Sequence, residues 1–319
     1  MRILSSSILS VLFVCFGFNA FAANVEDGSF LANDGGFAYR LYLSSSYKNT
    51  TDDRYGSYND IYKGTLDLYY GLTEDITLTF QGIYTHNGTE ERKGVQKANL
   101  AGYIRVADDV FFFDVLLGMS LGGIMDAQME GVYTAGGMKI APRNYSYGMY
   151  GLIGGGRFGM KVSPRFSAAI LFEATHRFSQ DDTIDAEIDA TAVGGTKFKA
   201  KGTFKPLTDY YTQLGVSYEA IDNLYINAKL GYQYYAEKHL KEASTNSING
   251  VDTTIVNGLS GSTLNDSWHE FSFGISAIYA INNLFQIGPY YEYMSGKNDP
   301  GALQTKQRME YGLKINGAF

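Results

Sequence analysis

The chain has 319 residues, 45% of them hydrophobic and 18% charged, with a net charge of −7. That acidic balance argues against nucleic acid as a partner. The one cysteine, Cys15, falls in the first 22 residues, so zinc-thiolate sites, thiol catalysis and disulfides are all excluded from the rest.

Residues 1–22 read MRILSSSILSVLFVCFGFNAFA, with an early charge at Arg2, an apolar run from Ile8 to Phe18, and Ala20-Phe21-Ala22 as a small-x-small site. The expectation is a secretory signal peptide over 1–22 and a mature chain over 23–319. The apolar run falls short of the roughly 20 residues of a spanning helix. Val14, just before Cys15, is too large for a lipid-attachment site. No later stretch approaches about 18 continuous apolar residues.

From residue 37 onward, apolar residues recur at every second position. FAYRLYL (37–43), YKGTLDLYYGL (62–72), ITLTFQGIY (76–84), ANLAGYIRV (98–106), FFFDVLLGMSL (111–121) and YGLIGGGRFGMKV (150–162) carry the pattern. FSAAILFEA (166–174), YYTQLGVSY (210–218), LYINAKLGYQYY (224–235), FSFGISAIY (271–279), FQIGPYYEY (285–293) and MEYGLKINGAF (309–319) continue it. A period of two predicts strands, twelve of them. Tight turns such as TED, ADD, SPR, IDN and INN alternate with long polar stretches at about 48–59, 85–96, 122–146, 177–208, 236–267 and 294–306. Short turns at one end and long loops at the other are the layout of an outer-membrane barrel, with periplasmic turns and extracellular loops.

In that register the apolar faces hold no Asp, Glu, Lys or Arg. A sandwich core would also exclude charge, but its strands run about 5–6 residues, whereas these match the length that crosses a bilayer at a tilt. Outward Tyr62, Tyr70, Tyr84, Tyr150, Tyr210, Tyr218, Tyr234, Tyr279 and Tyr293 fall near strand ends, where a ring sits in acyl chain and its hydroxyl among headgroups. The fold class expected is therefore all-β, an antiparallel 12-stranded transmembrane β-barrel. Pro289 predicts a bulge or a lost ladder bond in its strand.

The inward positions mix charge and aromatic rings. Arg40, Arg105, Arg157, Asp114, Glu173 and Glu292 are the charged lumen-lining candidates, with Lys63, Asp67, Lys97, Lys161, Arg177, Asp209, Glu219, Lys229, Glu270, Arg308, Glu310 and Lys314 on the same faces. Tyr69, Tyr211, Tyr235 and Tyr290, the inward members of tyrosine doublets, are the aromatic candidates, beside Tyr42, Tyr103, Tyr147 and Tyr225. Such a lining suits a hydrated pore or a packed interior of cross-barrel ion pairs; twelve strands lie between the filled eight-strand barrel and the open 16-strand channel.

Catalytic readings are weaker. His86 and His176 fall outward at the rim, and His239 and His269 lie in or beside a long loop. GGGRFG (154–159) matches a dinucleotide fingerprint in letters but has no helix after it. DDTIDAEIDA (181–190) lacks the Gly and Glu of a calcium loop. No metal, cofactor or enzymatic activity is expected.

The final strand alternates to its last residue, Phe319. Here the sequence resembles the Gram-negative outer-membrane β-barrel proteins, porin-like in kind, whose last strand commonly ends in an aromatic residue read by the assembly machinery. Phe319, Ile315 and Tyr311 fit that pattern; Gly317 departs from it, standing where a large apolar residue is usual. LDLYYGLTEDITLTF and AIYAINNLFQIGPYYEY also resemble barrels associated with meta-pathway phenol degradation. The resemblance implies an outer-membrane location among lipid and lipopolysaccharide, and a passive narrow channel for small solutes such as sugars or small aromatics. A barrel whose extracellular loops mediate adhesion is the alternative, and an outer-membrane lipid-modifying or proteolytic enzyme the third.

Overall fold

The alternating segments form strands because an extended backbone sends successive side chains to opposite faces. The computed structural model describes residues 30–50, 58–87, 92–126, 133–135, 138–143, 150–189, 196–236, 238–246, 263–265, 267–282, 284–298 and 305–319. The expected signal peptide and Tyr147 lie outside the described residues.

In chain order the strands are β1 (Phe37–Thr50), β2 (Tyr58–Thr73), β3 (Ile76–Asn87), β4 (Arg92–Asp108), β5 (Phe111–Asp126) and β6 (Tyr133–Ala135). Then follow β7 (Met138–Arg143), β8 (Gly151–Ser163), β9 (Phe166–Arg177), β10 (Gln180–Asp189), β11 (Thr196–Phe204) and β12 (Leu207–Ile221). The last six are β13 (Leu224–Tyr235), β14 (Lys238–Asn246), β15 (Thr263–Asn265), β16 (Trp268–Asn282), β17 (Phe285–Asn298) and β18 (Thr305–Ala318). Twelve of them close into one barrel in the order β1-β18-β17-β16-β13-β12-β9-β8-β5-β4-β3-β2. The barrel strands run 12 to 17 residues, beyond the roughly 9–11 that cross a bilayer.

Closure is the step the C-terminus makes possible. β18 pairs antiparallel with β1 from Ala38↔Ala318 to Thr50↔Lys306. One residue further, Phe37 and Phe319 each donate an amide to the other's carbonyl, at 2.8 Å both ways. The Phe319 ring stacks on Phe37 with centroids 5.5 Å apart and leans on Tyr39 at 6.1 Å. Tyr39 also accounts for Gly317: the two residues are paired across the seam, and a Cβ on Gly317 would stand 2.6 Å from the Tyr39 ring. An aromatic does cover this spot on the outer face; β1 supplies it.

The outer face is apolar along its length. Leu43, Leu66, Leu78, Leu100, Leu117, Phe158, Phe172, Leu214, Leu230 and Phe273 are all solvent-exposed, as are Tyr62, Tyr70, Tyr84, Tyr150, Tyr210, Tyr218 and Tyr279 from the expected belt. Exposed side chains of this size on one continuous surface need lipid around them. Among the described residues no helix is long and apolar enough to cross a membrane; the strands do so. At the short-turn end, Thr73, Ser163 and Asn282 each accept a hydrogen bond from the backbone N–H two residues on, which closes three of the turns. At Pro289 the β16–β17 ladder skips Ala277, Ile278, Gly288 and Pro289 and resumes in the same register. The proline costs ladder bonds without a bulge.

One expectation needs correction. The stretches 122–146, 177–208 and 236–267 are not simply loops, because β6, β7, β10, β11, β14 and β15 within them pair as a separate six-stranded antiparallel sheet. Chain continuity sets this sheet at the end of the barrel opposite the short turns. DDTIDAEIDA is likewise strand β10 as far as Asp189, paired with β11 and β7.

Deleting Phe319 removes two closing hydrogen bonds and a ring stack, whereas Phe319→Ala removes only the ring. Heat-shift gels of membrane fractions should show less folded barrel for both, with deletion the worse. Equal, parental levels in both variants would mean that the terminal pair is dispensable.

Candidate functional site

The interior begins with a segment that sequence periodicity does not reveal. Residues 30–33 precede β1 and lie across the short-turn end of the lumen. The Ala32 amide donates to Thr77 Oγ1 on β3 at 3.0 Å, and the Phe30 carbonyl accepts from Arg157 Nη2 on β8 at 3.1 Å. The Phe30 ring meets Tyr69 on β2 edge-on at 5.6 Å. Phe30 and Ala32 also pack with Ala38 and Ala318, the inward pair at the closing seam. The turn into β1 uses Gly35 at φ 67°, a backbone state that glycine adopts without strain. Gly71 is needed for close approach: a Cβ there would fall 1.8 Å from the Asn33 carbonyl oxygen. The NDGG run at 33–36, a turn signal just before the first strand, was the one trace of this segment in the sequence.

Beside the segment sits a buried ion triad. Asp114 on β5 is fully buried. It accepts from Arg105 Nε and Nη2 on one side and from Arg157 Nε, at 2.7 Å, on the other. Both guanidinium groups also lie over aromatic rings: Arg105 is 4.9 Å from the Phe112 centroid, and Arg157 is 4.6 Å from that of Tyr103. Gly159, in the GGGRFG stretch, makes this possible, since a Cβ there would meet the Phe112 ring at 2.4 Å. The stretch is a strand of β8 with a packing role. Across the lumen, Arg40 Nη2 donates to Asp67 at 2.9 Å, Gln81 holds the other carboxylate oxygen at 3.0 Å, and the Arg40 guanidinium lies 5.0 Å from the Tyr69 centroid.

Further up, Glu310 on β18 gathers the middle of the interior. Its Oε1 accepts from Tyr290 at 2.7 Å and Ser44 at 2.9 Å, and Lys63 reaches the carboxylate at 3.4 Å. Toward the extracellular side, Lys229 pairs with Glu292 at 2.8 Å, Lys97 approaches Glu173 at 4.0 Å, and Arg177 pairs with Asp209 at 2.8 Å. The Tyr211 hydroxyl donates to Gln213.

Of the aromatic candidates, Tyr69 and Tyr290 are buried, Tyr211 is half-buried, and Tyr235 is exposed at the upper end of β13. Arg105, Arg157 and Asp114 come together, Arg40 joins Tyr69, and Glu173 and Glu292 each meet a lysine. The Glu310–Lys63–Ser44–Tyr290 cluster was not singled out beforehand, because strand parity gives the face of a residue but not its cross-barrel partner. His176 donates to or accepts from Thr208 Oγ1 at 3.0 Å, and His269 Nδ1 lies 2.7 Å from the Tyr232 hydroxyl. His269 belongs to β16 and joins a belt of rings with Tyr232, Tyr234 and Phe271. The side chain of His239 lies outside the described residues. Among the described residues no group of His, Cys, Asp and Glu is arranged to hold a metal ion.

No protein-family model matches the chain, and no curated protein matches it in sequence. Solved structures do match in shape. The TodX monoaromatic hydrocarbon channel, as a deltaS2 mutant, superposes with a TM-score of 0.55 at 9% identity, covering 90% of this chain and 91% of that one. The CymD monoaromatic hydrocarbon channel gives 0.52 at 11%, covering 90% and 89%. An outer-membrane channel from Pseudomonas putida F1 gives 0.51 at 12%, covering 94% of this chain and all (100%) of that one. The chain shares the fold of these three barrels. The apolar exterior is a surface suited to lipid, and the ion pairs above lie on the opposite, interior face of the wall.

The barrel's ion pairs differ in weight with their burial. Removing the charge of Asp114 leaves the buried Arg157 without its carboxylate and Arg105 with only the more exposed Asp108, at 3.0 Å, a loss of about 3–5 kcal/mol. The Arg165–Asp222 pair at a periplasmic turn, 54% and 81% exposed, is worth about 0–1 kcal/mol. Urea unfolding in detergent micelles should therefore show a large drop for Asp114→Asn and almost none for Asp222→Asn. Similar midpoints for the two variants would contradict the triad's role.

Proposed function

We propose that this outer-membrane barrel is a passive, narrow channel for small solutes. The observation that carries the reading is a closed barrel with an apolar exterior and an interior of ion pairs and tyrosines. Its conduit would be lined by Arg40, Arg105, Arg157, Asp114, Glu173 and Glu292, with Tyr69, Tyr211 and Tyr290 among them and Tyr235 at the extracellular mouth. The similarity in fold to barrels named as channels, two of them for monoaromatic hydrocarbons, supports the same reading. Passage past the periplasmic end requires the segment at residues 30–33 to shift. On this reading Phe319, Ile315 and Tyr311 form the strand presented to the assembly machinery, and the outer tyrosine belt meets lipid and lipopolysaccharide headgroups.

A second reading rests on the extracellular sheet. Six strands paired outside the barrel make an ordered surface, which favours an adhesive or surface-interaction role more than six unstructured loops would.

Gly71→Val separates the two. Its side chain must collide with Asn33, so it should displace the segment while leaving the barrel wall intact. In planar bilayers the parent should conduct weakly and Gly71→Val several-fold more. If neither conducts across a range of voltages and solutes, the surface role replaces the channel.

A further inference from the structure

Among the described side chains, every interior arginine but one meets a carboxylate. Arg40 pairs with Asp67, Arg105 and Arg157 share Asp114, and Arg177 pairs with Asp209. Arg308 on β18 has no ion pair among the described residues. Its Nη2 donates at 2.6 Å to the Met294 thioether, a weak acceptor, and its Nε has no partner. A second interior charge is left the same way. Glu173, Glu292 and Glu310 each meet a lysine, but the Glu270 carboxylate on β16 makes no ion pair or hydrogen bond among the described residues. Charges held inside a barrel without partners are costly.

Register sets the two on one side of the lumen, with β17 between their strands. Arg308 is paired with Met294 and Met294 with Ser272, while Glu270, two residues before Ser272, stands opposite Gly296. Two strand spacings separate them by about 10 Å across the sheet, and they do not touch. Neither is sealed in. Arg308, Glu270, Ser272 and Tyr211 are half-buried, whereas Ile278, Gln286 and Asn316, nearer the short turns, are fully enclosed. Trp268 completes this part of the wall. Its ring lies over Gly296, where a Cβ would stand 2.4 Å from it.

The two charges define what fits. An anion alone would satisfy Arg308 but stand near the Glu270 charge, and a cation alone would do the reverse. A molecule with both groups answers both, its carboxylate on the guanidinium fork and its ammonium on the Glu270 carboxylate. We infer that Arg308 and Glu270, with Trp268 beside them, form a subsite for a small zwitterionic solute of the α-amino-acid class. The inference deepens the channel reading and rests on it for the solute's route, but binding itself does not require conduction.

Trp268 is the one tryptophan of the chain, so its fluorescence reports on this place. The folded barrel in detergent is titrated with L-alanine, with propionate, which lacks the ammonium, and with ethylamine, which lacks the carboxylate. L-Alanine should saturate and bind about tenfold or more tighter than either analogue. Arg308→Gln and Glu270→Gln should each weaken L-alanine about tenfold or more. The variants should part on the analogues: Arg308→Gln strengthens ethylamine binding and Glu270→Gln strengthens propionate binding, because each loses the repelling charge. Calorimetry repeats the titrations, and heat-shift gels confirm that each variant is folded. No saturation with L-alanine, equal binding of either analogue, or unchanged affinity in either variant overturns the subsite and leaves the two charges bridged by water only. Bilayer conductance is recorded on the same preparations. Conduction without L-alanine binding rejects the subsite alone, and L-alanine binding without conduction rejects the channel alone.

Discussion

Everything in this molecule follows from the cost of an unpaired backbone group in hydrocarbon. Each unsatisfied N–H or C=O there costs several kcal/mol, so a sheet in lipid has to end on itself. The pairing of β1 with β18, down to the mutual hydrogen bonds of Phe37 and Phe319, meets that demand. It also explains where the one proline inside a barrel strand is tolerated. Pro289 remains in register with Leu313 on β18, and the missing bonds fall only on the β16 side.

Once closed, the wall separates two solvents, and the interior must hold its own charges. It does so in three ways. Carboxylates are shared between cations, as Asp114 is between Arg105 and Arg157. Hydroxyls and amides complete the remaining bonds, as Ser44 and Tyr290 do for Glu310 and Gln81 does for Asp67. Aromatic faces cover the guanidinium groups, a contact that gains strength as water is excluded. Together these fix the relative positions of strands that are distant in sequence, since β1, β2, β17 and β18 all contribute to the Glu310 cluster.

The barrel was legible because lipid imposes a hard rule on one face of every strand. Charge is absent there, and period-two alternation reports that absence directly. The extracellular sheet escaped the rule because it lies in water. In β10 both parities carry acidic residues, Asp182 on one and Asp181, Asp185, Glu187 and Asp189 on the other, so neither face is emptied of charge. The register there sets Asp185 opposite Lys199 and Glu187 opposite Lys197. Within the lumen, parity correctly turned Arg40, Arg105, Arg157 and Asp114 inward. It could not show that three of them meet, because parity carries no register: Arg105 and Asp114 face each other across one hairpin, and Arg157 is paired with Asp114 from β8, beyond β6 and β7 in the chain. The interior segment at 30–33 has no period at all, and beside the Phe30 ring on Tyr69 it is held by its own backbone atoms on Thr77 and Arg157.

That segment is part of the chain it obstructs, joined to β1 through the turn at Gly35 and Gly36. A free peptide would occupy the lumen in proportion to its abundance. A short tether instead gives an effective local concentration in the millimolar range, the same for every copy of the protein. In the proposed channel, a solute entering from outside would compete with a rival that cannot be diluted or washed away. Scarce, weakly bound molecules would then be excluded by simple mass action, and the balance would tip only for solutes that are plentiful or that bind well inside the barrel.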